Sequence, residues 1–166
     1  PAPLTAAPTP SLAAGNVISL FSNAYTNRTV DTWSASWDVA DFADVQIAGN
    51  ATKKYTNLVY AGIEFTSSTI DATAETAFHL DVWSPRGTTF KVKLVDFGPD
   101  GAFSGGDDSE QELTFSTPTT FTTGSWKGLE IPLSDFTGLT SRAHLAQLII
   151  SGDVGTAYID NVYFHH

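Results

Sequence analysis

Ala77-Phe-His-Leu-Asp-Val-Trp83 and, after a short loop, Thr89-Phe-Lys-Val-Lys-Leu-Val-Asp96 decide the fold. Phe78, Leu80 and Val82 fall on one face of the first segment, with His79, Asp81 and Trp83 on the other. In the second, Phe90, Val92 and Leu94 share a face and Lys91 and Lys93 point away. A period of two is the signature of a strand with one buried side. Asp44–Ala48 alternates in the same way, and further strands are read at Val17–Phe21, Leu58–Phe65, Gln111–Ser116, Trp126–Pro132, Leu145–Ser151 and Ala157–Phe164. A single capped helical turn is expected within Ser134–Leu139, and no long amphipathic helix is found. Short strands joined by polar turns predict an all-β chain: an antiparallel two-sheet β-sandwich of the jelly-roll kind.

Composition agrees. The 166 residues are 42% hydrophobic, enough for one domain with a sizeable core. Residues 1–15, PAPLTAAPTPSLAAG, read as a Pro/Ala/Thr-rich linker and residues 16–166 as the β-sandwich module. Linkers of this composition join modules of secreted or cell-surface proteins, so a monomeric module tethered to other domains is expected. Net charge is −10, which excludes nucleic acid and anionic membrane as partners and suits a neutral ligand or a cation. There are no cysteines, hence no disulfides, and no apolar run of membrane-spanning length. The terminal His165-His166 pair is given no functional weight.

Enzyme signatures are missing: there is no Gly-x-Ser-x-Gly elbow, no phosphate-cradling loop and no His-Glu-x-x-His pair. Glycoside hydrolysis needs two carboxylates facing one another across a cleft. Glu110 and Glu112, which share a strand face beside the acidic loop, are the one conceivable pair. They keep a small jelly-roll lyase or hydrolase open as an alternative, beside a structural spacer or adhesion domain. The loop itself, from Asp96 to Asp108, mixes carboxylates with glycines. Such a loop suits a hard cation, hydrogen bonding to sugar hydroxyls, or no more than a solvated hairpin tip.

Aromatic residues point to a ligand. Trp33 and Trp37 lie in Asp31-Thr-Trp-Ser-Ala-Ser-Trp-Asp38, a polar stretch without core periodicity. Flat apolar rings near water suit sugars, whose axial C–H faces are apolar and whose rims are hydroxylated. Trp83, beside His79 and Asp81, is a third candidate platform, and Tyr55, Asp81, Arg86 and Asp108 are candidate flanking contacts. Asp160, charged within the apolar strand Tyr158–Phe164, requires a partner if buried. Either a Ca²⁺ ion shared with Ser22, Asn23 and Asp31, or capping of neighbouring backbone amides, would supply one.

VISLFSNAY, DTWSASWD, FHLDVWSP, GSWKGLEIPLSDF and AYIDNVYFHH together resemble a non-catalytic carbohydrate-binding module. The kind meant is the β-jelly-roll appended to bacterial, notably marine, polysaccharide-degrading enzymes such as laminarinases. The resemblance runs from about Asn16 to the end of the chain. It implies a polysaccharide partner, either a β-glucan such as laminarin or another algal or plant glycan. It also implies a structural calcium at Asp160 and a structural role for Trp126. Ser22-Asn23 departs from the pattern, since many relatives carry an acidic residue after the first strand.

Overall fold

The computed structural model describes residues 1–166. Eight strands form: β1 (Val17–Phe21), β2 (Val39–Ile47), β3 (Asn50–Glu64), β4 (Ala77–Trp83), β5 (Thr89–Asp96), β6 (Ser109–Ser116), β7 (Lys127–Pro132) and β8 (Leu145–His165). All pairings between these strands are antiparallel. The only helical segments are three-residue 3₁₀ turns, one of them Leu133–Asp135 inside the expected capped turn.

Two long strands belong to both layers. The first half of β8 pairs with β5 and with the end of β3, and β6 adds to β5. This gives the front sheet. The second half of β8 pairs with β1, with the start of β3 and with β4, while β7 and β2 close the edges. This gives the back sheet. Sequence reading expects two strands where β8 runs unbroken, because Gly152 and Gly155 look like turn residues. Both have positive φ, +122° and +71°, and they mark where the strand crosses between layers. Asn57, at φ +49°, does the same for β3, whose register shifts on either side of Leu58. Bulged positions of this sort bend a strand without ending it.

Between the layers lies one continuous apolar core. Phe78, Leu80, Val82, Phe90, Val92, Leu94, Leu148, Ile150, Ile159 and Phe164 are all fully buried in it. These are the inward positions that the alternation predicts for β4 and β5.

Residues 1–15, expected as a linker, form no strand but lie along the back sheet. Trp126 Nε1 donates to the Thr5 carbonyl (2.7 Å), Asn161 Nδ2 to Pro8 (2.9 Å) and the Tyr25 hydroxyl to Leu12 (2.9 Å). Pro3 and Ala7 are buried there.

Candidate functional site

The outward face of the front sheet is built from three cross-strand rows. Register aligns Glu64, Gln147, Val95 and Glu110 in the first. Gly62, Ile149, Lys93 and Glu112 form the second; Tyr60, Ser151, Lys91 and Thr114 form the third. Because side chains alternate, every one of these residues stands on the side opposite the core. The first row, with Ile149 and Lys93 of the second, floors a cleft of about 840 Å³.

Aromatic rings stand at both ends of that floor. Trp37 comes from the loop before β2 and lies over Gly62, where a β-carbon would stand 2.3 Å from Trp37 Cη2. Glycine at 62 therefore lets the indole settle flat on the strand. The ring is stacked with Tyr60 at 6.3 Å and remains 43% exposed. Its loop is tied down on both sides: Ala35 N–H donates to the Gly62 carbonyl, and Gly62 N–H donates to Asp38 Oδ2. Across the cleft, Phe103 at the tip of the β5–β6 loop is 74% exposed and touches Phe97 edge-on. Polar groups sit between the rings. Gln147 Nε2 donates to Glu64 Oε2 (2.7 Å), and Lys93 Nζ reaches Glu110 at 2.9 Å. Val95 and Ile149 leave apolar strips beside them. Apolar faces flanked by paired donors and acceptors are what a hydroxylated ring needs.

The residues proposed from sequence are distributed widely. Trp37 lines the cleft. Asp108 lies in the loop that carries Phe103, its Oδ2 accepting from Ser104 N–H at 2.6 Å. The others stand elsewhere. Trp33 turns the other way: its ring meets Phe21 edge-on at 5.7 Å, Lys53 Nζ lies 5.0 Å above it, and it packs on the main core. Tyr55 is fully buried, its hydroxyl donating to the Trp33 carbonyl (2.6 Å), so it anchors that loop and touches no solvent. Trp83 is corrected as well, because it lies on the back sheet in an apolar cluster with Tyr158 and Ile47, 8% exposed. Asp81 is buried beside it, and Arg86 is exposed near Gly155 where β8 bends. Glu110 does share a face with Glu112, yet each meets a lysine: Lys93 and, at 3.9 Å, Lys91.

Asp81 belongs to a charged cluster on the back sheet. The two ring nitrogens of His79 lie 2.8 Å from Asp81 Oδ1 and Glu130 Oε2, a pairing that favours the imidazolium. His165 also meets Glu130, and Tyr163 stacks on His79 at 4.7 Å. Burial opposes the charge on His79, but its bonds to Asp81 and Glu130 outweigh this and hold its pKa above the ordinary value. The stability gained from this charge is complete below about pH 6.5 and is lost as pH rises through the elevated folded pKa. Melting temperature is therefore expected to fall from pH 6.5 to 8.5, by on the order of a few degrees. His79→Gln should flatten that slope; an unchanged slope in the variant would assign it to other groups.

The proposed calcium ligands separate into two places. A bulge opposite His79–Asp81, with Asn161 at φ +50°, turns both Asp160 and Asn161 to the outer face of β8. Asp160 is 2% exposed and accepts from Asn161 N–H (2.7 Å) and Asn50 Nδ2 (2.6 Å). Burial pushes its carboxyl up to about 6 against those bonds, and the Asp81 charge adds to the rise. Ser22 Oγ donates to Asn161 Oδ1 (2.9 Å), and Asn23 donates to Asn50 Oδ1. Ser22, Asn23 and Asp160 thus meet in one oxygen-rich network whose hydrogen-bond donors are neutral. Asp160 is the one carboxylate among them, beside the amide oxygens of Asn50 and Asn161 and the Ser22 hydroxyl. Asp31 does not join it. It is exposed and accepts from Ser67 N–H at 3.0 Å and from the Ser67 hydroxyl, steadying the turn that edges the cleft.

No protein-family model matches the sequence, and no curated protein does. Solved structures do resemble it in three dimensions. A family 30 carbohydrate-binding module of a Clostridium thermocellum cellulosomal cellulase superposes with a TM-score of 0.64 at 16% identity, over 89% of this chain and 96% of that one. A family 11 module of another cellulosomal cellulase of that organism gives 0.61 at 15% identity, over 90% and 94%. The family 11 module has also been solved with a β-1,3-1,4-mixed-linked tetrasaccharide (TM-score 0.58, 16% identity, 90% and 94%). The chain has the two-sheet β-sandwich fold of these carbohydrate-binding modules.

Proposed function

We propose that this chain is a non-catalytic module that holds a neutral polysaccharide, a β-glucan, in the front-sheet cleft. One observation carries the reading: Trp37, laid flat over Gly62, presents a half-exposed indole above a floor of paired amide, carboxylate and ammonium groups. The fold shared with carbohydrate-binding modules supports it, as does the mixed-linkage ligand of one such neighbour. The carboxylates favour binding over hydrolysis. Glu110 and Glu112 stand side by side on one strand, each paired with a lysine, and do not face one another across a cleft as hydrolysis requires. One sugar face on each of Trp37 and Phe103 would bury about 100 Å² apiece, or ~5 kcal/mol together. Before other terms this is a dissociation constant on the order of 10⁻⁴ M. Weak capture of that strength suits a secreted or surface module that keeps an attached enzyme near an abundant polymer. Affinity electrophoresis tests the reading: migration should be retarded by laminarin or mixed-linkage glucan, and free migration through all glucan gels would overturn it.

We further propose that the Asp160 network holds a structural Ca²⁺, with Ser22 and Asn23 alongside. Its role would be to tie the loop after β1 to the closing strand. Chelation is expected to lower the melting temperature by on the order of 5–10 °C, and Asp160→Ala should abolish that sensitivity. No shift on chelation removes the ion from the account.

A further inference from the structure

The back sheet carries a second aromatic groove, and the chain's own first residues form one wall of it. Trp83 and Trp126 line it with Gly124 and Ser125, and the opposite wall is Ala2, Leu4, Thr5, Ala6 and Pro8. The contact is specific. Trp126 Nε1 donates to the Thr5 carbonyl and Asn161 Nδ2 to the Pro8 carbonyl, while Pro3 and Ala7 are buried. No residue before Ile18 packs on the main core, so the sandwich does not depend on this strap for its interior. Proline-rich chain is pre-extended and loses little entropy on docking, its carbonyls project for donors, and its rings pack on aromatic ridges. The indole N–H aimed at the Thr5 carbonyl meets the second of these requirements.

We infer that the Trp83–Trp126 side of the back sheet is a docking site for proline-rich polypeptide, on which residues 1–8 are held in cis through the Thr5 and Pro8 carbonyls. It converts a segment of linker composition into a fixed strap on the sheet opposite the cleft. A polypeptide joined ahead of Pro1 would then leave from the back of the module, with the glycan face unobstructed. The site is independent of the sugar reading, since none of its residues lines the cleft.

The test follows the Trp126 indole N–H by NMR in the full chain. In the unaltered protein this proton should exchange about tenfold or more slowly than a solvent-exposed indole. Ala7→Asp, outside the main core, should free the strap and raise the exchange rate while the melt stays cooperative. Adding the peptide PAPLTAAPTP at millimolar concentration to that variant should restore the signal and its protection. Trp126→Phe keeps an aromatic ring but loses the donor, and should raise susceptibility to proteolysis within residues 1–12. Free exchange of the indole in the unaltered chain would overturn the inference. So would a peptide that leaves Trp126 and Trp83 unmoved, or protection that appears only as the chain dimerises.

Discussion

Replacing Trp37 by alanine is expected to abolish retardation in glucan gels while leaving the melting temperature nearly unchanged. The exposed part of the indole offers about 100 Å² to a sugar face, worth ~2.5 kcal/mol, so affinity should drop somewhat less than a hundredfold. From a starting constant near 10⁻⁴ M, that places binding beyond detection. Stability should hold because the ring lies outside the sandwich core and is half-exposed already. Gly62→Ala makes the same point from the other partner. A β-carbon there would stand 2.3 to 2.9 Å from three atoms of the indole, and the ring must lift away. The backbone of Gly62 is not in the left-handed region, so the strand itself tolerates alanine. Loss of binding in both variants with intact melts locates the site. Trp33→Ala, by contrast, removes a ring packed on Phe21 and should lower stability. A Trp37→Ala protein that still binds would move the ligand off the front sheet.

The largest expected effect on stability is at Gly152. Alanine at φ +122° is strained wherever it sits, and here its β-carbon would also stand 2.3 Å from the Thr89 carbonyl oxygen. That oxygen belongs to the backbone of the neighbouring strand, so β5 must shift to make room. Strain and displacement together should cost about 3–5 kcal/mol, on the order of 10 °C in melting temperature. Gly15→Ala is the control, because a β-carbon there meets nothing within 4 Å. A Gly152→Ala melt matching the Gly15→Ala melt would contradict the role given to this residue at the crossing between sheets.

The same glycine shows where sequence reading succeeds and where it stops. For β1, β4 and β5 the expected spans match the observed ones; in β4 and β5 buried Phe, Leu and Val residues recur at every second position. The start of β3 is obscured: Lys53, Lys54 and Asn57 interrupt the apolar pattern, although Thr52 and Tyr55 are buried. β8 divides on paper at Gly152 and Gly155 because local chemistry cannot tell a bend shared by two sheets from a turn. The site was legible in part for a similar reason. Trp33 and Trp37 stand four residues apart in an irregular loop, and no periodicity says that one turns to Phe21 and the other to Gly62. Lys93 reads as outward, but its neighbours Gln147, Glu64 and Ile149 become neighbours only through register. Phe103, in a glycine-rich acidic loop, carries the signal that sequence reading overlooked: a large ring at a polar loop tip, 74% exposed. Trp83 looks available from its alternation alone; what packs on it, Ile47 and Tyr158, is far away in the sequence.

Chemical-shift mapping of the isotopically labelled chain, titrated with β-1,3- and mixed-linkage gluco-oligosaccharides, tests the central claim most directly. The Trp37 indole, the amides of Gly62, Gln147 and Ile149, and the Phe103 ring should move together and saturate at a common constant. Shifts confined to Trp126 and the back sheet, or none with either glucan, would contradict it.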